Sequence, residues 1–126
     1  MSDNNDFHHL RTRLHRAIPG GAHTYSRGDD QFPSIAPPVL VRGKGAYVWD
    51  TSGQRLLDYG MALRAVTLGY ADARVNAAAA AEMDKGVNLT RATMTELLAA
   101  EALIDLIPSV EMVKFAKNGS NVTTAA

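Results

Sequence analysis

Lys117-Asn118-Gly119-Ser120-Asn121-Val122-Thr123-Thr124 is the stretch on which the fold turns, because it supports two incompatible readings. Asn-Gly is a strong two-residue signal for a type I′ hairpin, and Val122, Thr123 and Thr124 are good strand residues. Local propensity alone therefore favours a reversal into a second strand. The alternative is a strand ending at Lys117, a short polar bend, and a helix opening at Gly119. The first backbone N–H groups of such a helix are unpaired and face the bend, where the helix dipole also favours an anion. Glycine lets the main chain approach a phosphate closely, and the Ser120 hydroxyl adds a donor. The same residues are thus either a hairpin or a phosphate cradle.

Upstream, Glu111–Lys117 alternates well enough to predict a strand. Thr93 and Glu96 form a capping-box pattern before Leu97, Ala100, Ile104 and Ile107, which share one helix face; Leu98, Leu103 and Leu106 widen it. A helix apolar over so much of its circumference is expected to be buried, and Pro108 stops it. A further helix is predicted from Ala73 to Lys85, capped by Asp72 and closed by Gly86. Its inner stripe is expected at Val75, Ala79 and Met83. The segment Gly60–Tyr70 is apolar and has no single period.

Three short strands are predicted before it, at Val39–Arg42, Ala46–Asp50 and Arg55–Tyr59. Gly43-Lys44-Gly45 and Thr51-Ser52-Gly53-Gln54 separate them as turns of hairpin length, so they form a small antiparallel meander. Residues 6–18 carry Phe7, Leu10, Leu14 and Ala17 or Ile18 at helical spacing, with Asp6 as the expected N-cap. Ile18-Pro19-Gly20-Gly21 ends that helix, and residues 22–38 read as loop.

The 126 residues suffice for a compact domain, and a 46% hydrophobic content argues against intrinsic disorder. Thirteen basic and thirteen acidic residues balance, leaving no global field for nucleic acid or an anionic membrane. Any anionic ligand must then be held locally. With no cysteine there is neither disulfide nor thiol chemistry. No apolar run reaches membrane-spanning length, and residues 1–18 are too charged for a secretory signal. A cytoplasmic location is the expectation that remains.

Taken together, these pieces resemble the class III, glutamate-1-semialdehyde-like branch of fold type I pyridoxal-phosphate (PLP) enzymes along nearly the whole chain. The resemblance rests on Ile18-Pro19-Gly20-Gly21 followed by Arg27; on Tyr47-Val48-Trp49-Asp50 and Leu57-Asp58-Tyr59; on Leu68-Gly69-Tyr70; on Thr93 and Glu96; and on Phe115-Ala116-Lys117-Asn118-Gly119-Ser120. It is their order and spacing, not any one piece, that is specific. The resemblance implies an α/β chain. An N-terminal helix and antiparallel meander (1–60) would lead into the start of a PLP-binding large domain (61–126). It also implies strand, bend and helix at Lys117–Thr124, with Asn118, Gly119 and Ser120 binding the PLP phosphate. Arg27 matches the arginine that grips a substrate carboxylate, a task suited to the two-pronged guanidinium. A homodimer acting on a small amino or keto substrate is implied as well.

Two departures shape these expectations. Ala62-Leu63-Arg64 stands where the aminomutases usually carry Ser-Trp-Gly, implying a pocket of different size and charge. Asn121 and Val122 replace the usual acidic residue and alanine. Glutamate semialdehyde, an amino sugar or another amino or keto compound thus remain open as substrates. Such enzymes also need a Schiff-base lysine and an acidic partner for the pyridinium nitrogen. None of Lys44, Lys85, Lys114 and Lys117 matches that lysine, so the chain is expected to be the N-terminal portion of such an enzyme and no residue in it is assigned as catalytic.

Other signals carry less. His8, His9, His15 and His23 lack the paired spacing of a zinc site, so no metal is expected. Three Asn-X-Ser/Thr triplets, at Asn88, Asn118 and Asn121, have no secretion signal to give them meaning. Arg11, Arg13 and Arg16 read as a solvated helix face. Against the enzyme reading stand a phosphate- or PLP-binding module without catalysis and an inactive truncated product.

Overall fold

The computed structural model describes residues 3–126, with side chains from Asp6 onward. The chain folds as two compact units, one up to Asn76 and the other Ala77–Ala126.

The first unit opens with helix α1, Asp3–Ala17. Asp6, expected to cap it, lies inside it. Phe7 turns inward and is 8% exposed. The polar side of α1 is not simply solvated, because the Arg11 guanidinium donates to the carbonyls of Ser34 at 2.8 Å and Ala36 at 2.5 Å. One turn on, His15 Nε2 lies 3.1 Å from both carboxylate oxygens of Asp29. These contacts tie α1 to the loop of residues 19–38, which is ordered by single 3-10 turns at Pro19–Gly21, Tyr25–Arg27 and Asp29–Gln31.

The predicted meander is present as an antiparallel sheet in the order β1 (Leu40–Lys44), β2 (Tyr47–Asp50), β3 (Arg55–Leu57). Its ladder pairs Arg42 with Trp49, and Val48 with both Gly43 and Leu56. Val48 is 6% exposed and, with Phe7, forms the buried apolar core. On β2 the rings carry cations: the Arg42 guanidinium lies 4.3 Å from the Trp49 ring centre and that of Arg55 lies 4.6 Å from Tyr47.

Asp50 anchors the β2–β3 turn. It is fully buried, and its Oδ1 accepts from the Ser52 amide (2.9 Å), the Ser52 hydroxyl (2.8 Å) and the Gln54 amide (2.8 Å). Burial alone pushes its carboxyl upward. The hydrogen bonds from the Ser52 hydroxyl and the turn amides together outweigh that and hold it below the ordinary value of 3.8.

Beyond the sheet, helix Ala73–Met83 is capped by Asp72, whose Oδ1 accepts from the amides of Arg74 (3.0 Å) and Val75 (3.3 Å). Gly86 follows in the left-handed region at φ 95°. In the second unit, helix Met94–Leu106 starts with the predicted capping box: Thr93 Oγ1 accepts from the Glu96 amide at 3.2 Å, and the Thr93 amide donates to Glu96 at 2.7 Å. The Thr95 hydroxyl also donates to Glu82, at 2.6 Å.

Two expectations fail in this half. Leu97 (49% exposed) and Leu98 (57%) are not buried, and Met83 of the supposed inner stripe is 60% exposed. An apolar helix face is buried only by another layer, and no described residue supplies it. Likewise Glu111–Lys117 is not a strand. It has no ladder partner among the described residues, and alternation without a neighbouring strand cannot satisfy a strand's backbone groups.

Candidate functional site

The ambiguous stretch resolves as bend and helix. Asn118 is extended (φ −152°, ψ 165°) and helix Gly119–Ala125 follows. Asparagine decides this locally: its Oδ1 accepts from the Asn121 amide at 3.0 Å, an N-cap that a hairpin cannot use. The Thr123 and Thr124 hydroxyls fold back onto the carbonyls of Gly119 and Ser120, so the β-branched residues are accommodated within the helix.

Asn118 therefore spends its side chain on the cap. The donors left at the bend are the amides of Gly119 and Ser120 and the Ser120 hydroxyl, none of which has a partner among the described residues. A Cβ built on Gly119 meets nothing within 4 Å, so the main chain there is open to an approaching group. Amides plus a hydroxyl are the donor set a phosphate dianion takes.

Arg27 belongs to the other unit. It ends the 3-10 turn Tyr25–Arg27, its amide donates to Thr24 O at 3.0 Å, and its side chain is exposed. Its charge is felt at a neighbouring phenol that sequence reasoning overlooked. The Tyr70 hydroxyl donates to Asp58 Oδ2 at 2.5 Å, while Asp58 Oδ1 accepts from the Gly60 amide at 2.8 Å. The Asp58 hydrogen bond, then burial, then the Asp58 charge raise the Tyr70 pKa above its ordinary 10.0; the Ala62 backbone and the Arg27 charge oppose them. Tyr70 is further fixed by paired 2.8 Å backbone bonds with Gly45.

The Tyr70 ring explains the first glycine of Gly43-Lys44-Gly45, which the turn itself does not need. Only Gly45 takes the turn, at φ 57°; Gly43 lies within β1, and a Cβ there would come within 2.6 Å of the Tyr70 ring. Two glycines around one turn residue were the available hint.

Next to this pair the backbone does something the sequence conceals. Met61 (φ 45°), Ala62 (47°), Leu63 (59°) and Arg64 (72°) form a left-handed turn, closed by Arg64 N–H to Gly60 O (3.1 Å) and Val66 N–H to Met61 O (3.2 Å). The left-handed helical conformation costs an L-residue about 1–2 kcal/mol each, so the turn persists only because its surroundings impose it. This is the segment that departs from the aminomutase pattern. With Gly45, Ala46, Asp58 and Tyr70, residues Met61 and Val66–Gly69 line a shallow pocket.

Among the described residues no three His, Cys, Asp or Glu side chains gather as metal ligands, and no helix is long and apolar enough to cross a membrane.

Comparison with known proteins follows the same outline. The glutamate-1-semialdehyde 2,1-aminomutase of Thermus thermophilus is 35% identical over 113 residues, covering 88% of this chain and 26% of that enzyme. The FumI protein of Sphingopyxis sp. MTA144, solved with PLP, superposes with a TM-score of 0.86 at 31% identity, over 94% of this chain and 28% of its own. An omega-transaminase from Sphaerobacter thermophilus gives 0.82 at 30%, over 94% and 26%. The chain thus spans about a quarter of the length of these relatives. The aminotransferase class-III sequence pattern matches residues 25–126, and the protein is a member of the class-III aminotransferase family.

Proposed function

We propose that the protein serves PLP-dependent transfer of an amino group on a small amino or keto compound, either between molecules or within one. The observation that carries this reading is the bend at Asn118: in a class-III family member, a capped helix start leaves two amides and a hydroxyl free for a dianion. Gly119 and Ser120 would hold the PLP phosphate, and Asn118 would fix the bend that presents them. When bound, PLP supplies the electron sink that lets an amino group change carbon. Arg27 would grip the substrate carboxylate with both prongs of its guanidinium. The Schiff-base lysine is assigned to none of this chain's lysines. Residues 61–126 are read as the start of the PLP-binding domain, with the protein a cytoplasmic homodimer, a reading supported by family membership and balanced charge.

Binding to the chain itself tests the cradle. Inorganic phosphate titrated into the protein and followed by amide NMR should shift Gly119 and Ser120 first. Ser120→Ala should weaken binding roughly tenfold, the scale of one hydrogen bond to a charged group. Phosphate affinity unchanged in Ser120→Ala and in Gly119→Asp would overturn the assignment.

A further inference from the structure

We propose that Arg11 of helix α1 is the positioning residue for Arg27, holding the loop that presents it to a carboxylate. This rests on the reading of Arg27 as the substrate grip. The Arg27 guanidinium has no partner among the described residues, so its place is set by its main chain. That main chain belongs to a loop without strand or α-helix. Its turns Tyr25–Arg27 and Asp29–Gln31 meet at Gly28, whose amide donates back to Tyr25 O at 2.9 Å. A single turn fixes several residues for one hydrogen bond, which is unfavourable on its own. Something outside the loop must hold it.

Helix α1 does so through Arg11. Its Nη2 donates to Ser34 O (2.8 Å) and Ala36 O (2.5 Å), while its Nε faces Asp29 Oδ2 at 3.8 Å. One guanidinium therefore pins the loop two residues past Arg27 and again near its far end. The Arg11 and Asp29 side chains are only 23% and 29% exposed, so solvent screens these contacts less than those of a free surface pair. His15, one turn along the helix, holds the same Asp29 and lies so close to Gly21 that an added Cβ would come within 2.9 Å of its ring. A planar fork serves two carbonyls and a carboxylate in one fixed geometry. The two-pronged grip assigned to Arg27 tolerates little misplacement, so the order Arg11 imposes on the loop is order at the grip.

The test titrates acetate into the whole chain, with binding read from the ligand's own NMR signal and loop order from hydrogen exchange at the Arg27, Gly28 and Gln31 amides. Arg11→Gln should leave the loop binding-competent about a tenth of the time, weakening acetate roughly tenfold and speeding exchange at those amides. Arg11→Lys should restore part of the loss. Asp29→Asn, which loosens the loop without touching α1, should act in the same direction, and it decides by the same readouts should Arg11→Gln fail to fold. Phosphate-induced shifts at Gly119 and Ser120 should not move in any of these variants, as a general loss of folding would not allow. With Arg27→Gln already present, Arg11→Gln should change acetate binding by less than about twofold, because a residue acting through Arg27 has nothing left to act on. A tenfold loss that persists without Arg27 contradicts the proposal. If Arg27→Gln itself leaves acetate unaffected, the reading of Arg27 fails and takes this role with it; if Arg27→Gln weakens acetate and Arg11→Gln does not, the positioning role alone fails.

Discussion

Replacing Gly43 by alanine should destabilise the first unit although alanine suits a strand better than glycine. Gly43 has no positive φ, so its backbone is open to any residue. The obstacle is the Tyr70 ring, with Cγ, Cδ1 and Cβ at 2.6, 2.8 and 2.9 Å from the added Cβ. All three lie below the closest approach carbon atoms tolerate, and the ring cannot swing away freely. Its hydroxyl is held by Asp58 and its backbone by Gly45. Overpacking of this kind costs about 1–3 kcal/mol, and losing the charged hydrogen bond raises the total by about 1.5–3 kcal/mol if the ring is expelled. We expect a loss of about 1–3 kcal/mol in urea unfolding followed by circular dichroism if the ring stays, and about 2.5–6 kcal/mol if it is expelled. The diagnostic is a double-mutant cycle. With Tyr70→Gly already present, which removes Cβ as well as the ring, Gly43→Ala should cost less than about 0.5 kcal/mol, the level at which independent sites add. An equal cost in both backgrounds would refute the idea that Gly43 exists to admit this ring.

Thr93→Ala should destabilise helix Met94–Leu106 by about 1 kcal/mol, with Thr93→Ser close to unchanged, by the same unfolding assay. Asp50 binds its proton less readily in the folded state, so its contribution to stability is present above the unfolded value of 3.8 and is lost as pH falls through the lower folded value. Asp50→Asn should therefore flatten the acid side of the stability profile; a profile that stays as steep counts against this assignment. Asn118→Ala should remove the cap on Gly119–Ala125 and collapse the phosphate-induced amide shifts at Gly119 and Ser120, whereas Asn118→Asp should keep the cap but repel the anion.

What was legible in the sequence follows how local each determinant is. Thr93 and Glu96 close their box within one turn, and Asp72 needs only the amides of Arg74 and Val75, so both helix starts could be read directly. The bend at Asn118 was legible only through family likeness, since Asn-Gly and the threonines spoke for a hairpin until the side-chain cap was seen. Met61-Ala62-Leu63-Arg64 was hidden altogether. Those residues are good right-handed helix formers, and nothing within the segment signals the left-handed turn they take. Glu111–Lys117 failed for the opposite reason: its alternation is real, but a strand is a relation between segments. At the site, the unpaired donors of Gly119 and Ser120 were foreseen, whereas Asp58 and Tyr70 showed only as separate pieces of the family likeness, and their hydrogen bond left no trace except a spare glycine.

The cation seated on Trp49 gives the protein a built-in optical gauge. Trp49 is the sole tryptophan, so its emission comes from a single place, the centre of the meander. A guanidinium 4.3 Å from the indole ring perturbs its excited state. Because neighbouring strand residues point to opposite faces, a slip of β1 by one residue would carry Arg42 off that face altogether. The colour and quenching of one indole thus report strand alignment in a sheet too small to watch easily by other means.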